Sequence, residues 1–74
     1  MEQGDRMALT RLVGECEKGT CPTLYSVDGT GDLLVQGYTV DDAGTLEELK
    51  VPVGESVVRI PAGIIERYAR EHLA

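Results

Sequence analysis

Apolar residues fall along this chain in two rhythms, and the first is that of strands. Leu24 to Val27 and Leu33 to Val40 are short runs rich in β-branched and aromatic residues, separated by Asp28-Gly29-Thr30-Gly31-Asp32. Two such runs around a polar, glycine-bearing loop predict a β-hairpin over 23–40. The loop glycines permit the positive φ that tight turns need. In the second run, Leu33, Val35, Gly37 and Thr39 share one face, and Leu34, Gln36, Tyr38 and Val40 share the other. Neither face is plainly polar, which predicts a strand covered on both sides. Gly37 within the run marks a bulge or a close backbone approach. A third strand is expected at Ser56-Val57-Val58-Arg59-Ile60, after a turn at Pro52-Val53-Gly54-Glu55.

The second rhythm is helical. Ile64, Ile65, Tyr68 and Ala69 form an apolar stripe, with Pro61 at the first helical position, and predict a C-terminal helix over 61–73. Glu66/Arg70 and Arg67/Glu71 lie four apart on its outer face, each pair worth about 0.2–0.5 kcal/mol. A shorter helical turn is expected over 45–50. There Thr45-Leu46-Glu47-Glu48 matches a capping box with Thr45 as the cap. The first 18 residues carry a weaker pattern. Met7, Leu9, Leu12 and Val13 fit a helix only in part, and Leu9-Thr10-Arg11-Leu12-Val13 fits a strand equally well.

These elements define an α+β fold. It has a small, mainly antiparallel sheet of about three strands (hairpin 23–40 plus strand 56–60), with the short helical turn and the C-terminal helix. Residues 1–18 are expected to be a weakly ordered N-terminal segment, frayed at least through Asp5, and 19–74 a single α+β domain. The expected core is Leu24, Leu33, Val35, Tyr38, Val40, Leu46, Leu49, Val58, Ile60, Ile64, Ile65 and Tyr68.

Composition narrows what such a domain does. A chain of 74 residues buries only about 60% of the surface its unfolded form exposes. Trp and Phe are absent, so Tyr25, Tyr38 and Tyr68 carry all the aromatic bulk. A core this thin is commonly reinforced by a disulfide, a metal or a second subunit, and a homodimer is one expected cover for the two-sided strand. Thirteen acids against seven bases give a net charge of −6, which opposes phosphate-driven nucleic-acid binding. The acids cluster: Asp41, Asp42, Glu47, Glu48 and Glu55 stand against Lys50 alone between 41 and 55. That segment is either a solubilising face or a docking surface for a basic partner. No apolar stretch is long enough to span a membrane and no signal peptide is evident, so a cytoplasmic location is expected.

Candidate chemistry is sparse. Cys16 and Cys21, with four residues between them, have three readings: two reduced thiols, a small disulfide loop, or half of a zinc site. Structural zinc takes four ligands, so that site would have to be shared between subunits. His72, the single histidine, lies in the last helical turn, with no nucleophile or orienting acid at triad spacing. The Asp28–Asp32 loop lacks the length and terminal Glu of an EF-hand and the Lys of a P-loop, so turn chemistry accounts for it. No catalytic residue and no cofactor-binding residue emerges.

Two resemblances bear on these residues. Leu49-Lys50-Val51-Pro52-Val53-Gly54-Glu55-Ser56-Val57-Val58-Arg59-Ile60 is similar to the Leu-Gly-Leu-x-x-Gly-Asp-x-Val-x-Ile segment of AbrB-like swapped-hairpin transcription factors, which are intertwined dimers that bind DNA. The preceding strand and basic loop of that family are missing from this sequence. Cys21-Pro22-Thr23-Leu24-Tyr25, Val35-Gln36-Gly37-Tyr38-Thr39-Val40, the Pro52–Glu55 turn and Val58-Arg59-Ile60-Pro61 together resemble a group of small uncharacterised actinobacterial proteins encoded near helix-turn-helix regulators. That resemblance implies a regulatory setting. The expected function is therefore that of a small, non-enzymatic accessory or regulatory protein that binds another protein, such as a DNA-binding regulator. A zinc-binding module on Cys16/Cys21 and an AbrB-like DNA-binding dimer are the alternatives.

Overall fold

A computed structural model describes residues 7–16 and 21–73 of the chain. Its elements, in order, are β1 (Leu9–Gly14), β2 (Thr23–Val27), β3 (Leu33–Gln36), β4 (Tyr38–Thr39), α1 (Ala43–Leu49), β5 (Val58–Arg59) and α2 (Ala62–Tyr68), continued by a π-helical segment (Ala69–Leu73). The α+β class is as the sequence predicts. The strand partners differ in one respect: β1, β2 and β3 form the three-stranded antiparallel sheet, while β4 and β5 form a separate two-stranded one.

β1 comes from the 1–18 segment that the sequence sets apart, and it takes the strand alternative of Leu9–Val13. It pairs with β2 from Leu9↔Val27 to Gly14↔Thr23, with a register shift between Arg11 and Val13. A boundary at residue 18 therefore divides two paired strands. The expected fraying through Asp5 lies outside the described residues. At the β2–β3 turn, Val27 N–H donates to the Asp32 carbonyl (3.0 Å) and Thr30 N–H to the Val27 carbonyl (3.1 Å). Gly29 sits at φ +81°. The Asp28 carboxylate accepts from the Thr10 and Ser26 hydroxyls. These bonds account for the loop as turn chemistry.

Among the described residues, the buried apolar core is Val13, Leu24 and Ile64, each at most 2% exposed. Val13 and Leu24 are cross-strand partners. Ile64 of α2 closes over them, with Leu12, Ile60 and Tyr68 packed around. Arg67 fixes the helix on the sheet by donating to the Gly14 carbonyl (3.1 Å), and its guanidinium also meets Glu71 at 3.7 Å. Thr23 is fully buried, and its hydroxyl is satisfied by the Cys21 carbonyl at 2.6 Å.

The expected core was too generous. Leu33, Val35, Tyr38, Leu49, Val58 and Ile65 are exposed, and Val40 and Leu46 half-buried. Among the described residues, α2 packs on the sheet at its β1–β2 end, so the apolar residues of β3 extend past its edge.

Gly37 separates β3 from β4 and is the site of the predicted close approach. A Cβ there would lie 2.7 Å from Ile60 Cγ2 and 2.8 Å from the Arg59 carbonyl oxygen. A backbone oxygen cannot rotate away as a side chain can. Gly37→Ala is expected to cost roughly 1–2 kcal/mol, as overpacking does, measurable as a fall in the urea midpoint at constant m-value. An unchanged midpoint would mean that β4 and β5 separate freely from this contact.

Candidate functional site

Clefts of the described chain lie around β4, α1 and β5. One, of about 340 Å³, is lined mainly by apolar side chains, among them Val40, Leu46, Val51, Pro52 and Val57, with Glu55 at its margin. A neighbouring cleft is lined by Tyr38, Thr39, Val40, Asp41, Asp42, Thr45 and Arg59, sharing Thr39 and Val40 with the first.

The local sequence builds this region from three devices. The Pro52–Glu55 turn closes with Glu55 N–H donating to the Pro52 carbonyl (3.1 Å), and Gly54 takes φ +93°. This leaves Val53 fully exposed. α1 ends at Lys50, whose left-handed backbone lets its N–H reach the Leu46 carbonyl at 3.0 Å. Leu49 is left 53% exposed.

The third device is the α1 cap, which falls three residues earlier than expected. Asp42 is the N-cap, and its carboxylate accepts from the Thr45 N–H (2.9 Å) and hydroxyl (2.7 Å). Thr45 is thus a donor inside the first turn rather than the cap. A carboxylate is the stronger acceptor, and Ala43 and Gly44 offer no obstacle to starting the helix there.

The Thr45 hydroxyl, and then its backbone N–H, hold the Asp42 carboxyl below its ordinary value. A depressed folded-state pKa means that the cap stabilises above the ordinary carboxylate range and fails as pH falls through the lowered folded value. Far-UV titration is expected to show helical signal lost in that acid window, with a smaller pH response in Asp42→Asn. Equal responses would assign the loss to other carboxylates.

The five predicted partner-binding acids are all exposed, but the structure gathers them unevenly. Asp41 and Asp42 line one cleft and Glu55 the other, while Glu47 and Glu48 on α1 line neither. Tyr38 and Arg59 were not predicted as site residues. They are cross-strand partners, and Tyr38 is 60% exposed. Tyr38 was visible in the sequence as one of three aromatic anchors, but its pairing with Arg59 required the register.

Cys16 and Cys21 are joined in a disulfide, with Cα atoms 5.9 Å apart. Glu15 N–H donates to the Pro22 carbonyl at 3.1 Å, extending the β1–β2 ladder one step so that 16 and 21 fall opposite each other. The Arg11 guanidinium donates to the Cys16 carbonyl, and the Gln36 amide donates to the Cys21 carbonyl (3.0 Å). In this state the sulfurs are not thiolates and hold no metal. No group of three or more His, Cys, Asp and Glu suited to a metal occurs among the described residues. His72 is exposed and stacks on Tyr68, with ring centroids 5.4 Å apart. Among the described residues, no helix is long and apolar enough to cross a membrane. No family model, curated protein or solved structure matches this chain.

Proposed function

We propose that this chain is a small, non-enzymatic accessory or regulatory protein that binds another protein through the acid-margined apolar clefts of β4, α1 and β5. The observation that carries the reading is the pairing of an apolar cleft with exposed carboxylates: Val40, Leu46 and Val57 inside, Asp41, Asp42 and Glu55 at the margins. Apolar contact supplies affinity, while charge of one sign steers and selects the partner. The complementary occupant is a basic, amphipathic segment, such as one carried by a DNA-binding regulator. Direct DNA binding has less support, because Lys50 and Arg59 are outnumbered there by five acids.

The cytoplasmic location is part of the same proposal. Disulfides in that compartment are usually transient or redox-sensing, so the Cys16–Cys21 bond would open and close there with the thiol pool.

Affinity capture from native lysate tests the binding reading. The parent protein is expected to retain a basic protein at low salt and release it as salt rises, and Asp41→Asn/Glu55→Gln is expected to retain much less. Capture of nothing specific, or equal capture by parent and variant, would remove it.

A further inference from the structure

We propose that the Cys16–Cys21 disulfide is a redox latch on α2. Closed, it clamps the end of the sheet on which the helix is seated; opened by a dithiol, it lets that end and the helix lift together. The three-stranded sheet ends in one row, Gly14–Thr23–Gln36, and the ties of the disulfide and of α2 meet there. The Gly14 carbonyl accepts from Arg67 of α2 (3.1 Å). The Thr23 hydroxyl and the Gln36 amide both donate to the Cys21 carbonyl, at 2.6 and 3.0 Å. Val13 and Leu24, one step inside the row, are the sheet residues that form the buried cluster with Ile64.

Past this row the β1–β2 ladder is thin. A hydrogen-bonded antiparallel pair normally exchanges two backbone bonds. Glu15 donates to the Pro22 carbonyl (3.1 Å), but Pro22 has no N–H to return. The disulfide is the next step out. With the sulfurs parted, the Glu15–Pro22 bond is the backbone bond among the described residues that still crosses from β1 to β2 beyond the row. At the far end of the sheet, Asp28 N–H donates to the Ala8 carbonyl (2.8 Å), remote from the latch along both strands.

α2 depends on this seat. Pro61 stands at its N-cap position, with no side-chain capping bond, and a helix this short does not hold alone in water. A lifted α2 therefore melts and uncovers Val13 and Leu24. The sulfurs themselves stand outside the buried cluster, and both cysteines are half-buried. Opening loosens the seat without removing what fills the core.

The chemistry is thiol–disulfide exchange with a dithiol reductant. One thiolate of the dithiol attacks a sulfur of the pair, and the S–S bond breaks with its electron pair leaving on the other sulfur. The second sulfur of the dithiol then attacks the mixed disulfide and frees the first cysteine. The chain gains two electrons and two protons, and the dithiol becomes a disulfide. Cys16, Cys21, Gly14, Thr23 and Arg67 line none of the clefts of the binding reading, so either proposal can fail alone.

Dithiothreitol added to the native protein without denaturant is expected to free both thiols, counted by alkylation and mass. Amide hydrogen exchange on the two forms should then show Glu15 and the α2 amides accelerating together on reduction. Closure of so short a loop sets that acceleration at about 10–30-fold. The Asp28 amide, in a separate opening unit, should change less than about twofold. Arg67→Gln, at an exposed position, cuts the helix from the row: Glu15 should keep its response to reduction and α2 lose most of its own. Three results would each overturn the proposal: thiols that appear only in urea, equal acceleration of Glu15, α2 and Asp28, or an α2 response in Arg67→Gln equal to the parent's.

Discussion

Leu24→Ala is expected to lower the melting temperature by about 12–24 °C, from a loss of about 3 kcal/mol. Leu24 is 1% exposed, lies across from Val13 and sits beneath Ile64. Removing its isopropyl group loses transfer energy and leaves a cavity in a cluster with little else to collapse into it. A domain of this length has roughly 4–11 kcal/mol of stability in all, so the variant approaches unfolding at body temperature. Leu73→Ala provides the contrast: Leu73 is 67% exposed, and surface changes of that kind stay within about 0.5 kcal/mol. Thermal melts of both variants check the placement of the core. Equal shifts would mean that the Val13–Leu24–Ile64 cluster does not hold the fold.

Reduction of Cys16–Cys21 is the second large effect. The bond closes a short segment between β1 and β2, with a sequence separation of 5. Chain-entropy arguments give about 2 kcal/mol for so small a loop, at the lower end of the 2–5 kcal/mol typical of native disulfides in small domains. That corresponds to a fall of about 8–16 °C in melting temperature. The same fall is expected from Cys16→Ser/Cys21→Ser, which should then be indifferent to added reductant. A parent protein that melts alike with and without reductant would show that the strands stay registered by their hydrogen bonds alone.

What the sequence makes legible here is local chemistry. The Asp28–Asp32 turn, the Pro52–Glu55 turn, the helical stripe of α2 and the close approach at Gly37 each follow from residues near one another in the chain. What it hides are choices between comparable partners. Thr45 and Asp42 both suit a helix cap, and the stronger acceptor takes the role. Val58 has the pattern of a strand but not the name of its neighbour, which is the Tyr38–Thr39 end of the expected hairpin, past the break at Gly37, rather than β2 or β3. Val13 was hidden because its short apolar run fits a strand and a helix alike, and pairing with Leu24 decides. At the candidate site, the five acids were legible from charge alone. Their division between clefts, and the presence of Tyr38 beside Arg59, depend on β4–β5 register. The disulfide was one of three readings of Cys16 and Cys21, and the ladder of β1 on β2 brings the two together.

The contact of Gly37 with Arg59 and Ile60 means that the chain leaves the three-stranded sheet and returns to it at nearly one point. Residues 38–59 therefore behave as a cassette, an excursion whose two ends meet. Its length and contents can change without rerouting β3 or α2, because the junction asks only for a residue without a side chain on one side. A chain shortened by joining Gly37 to Ile60 through a brief linker would keep Val13, Leu24 and Ile64 and discard every acid from 41 to 55. The surface proposed to meet partners and the framework that holds the fold are thus open to change independently.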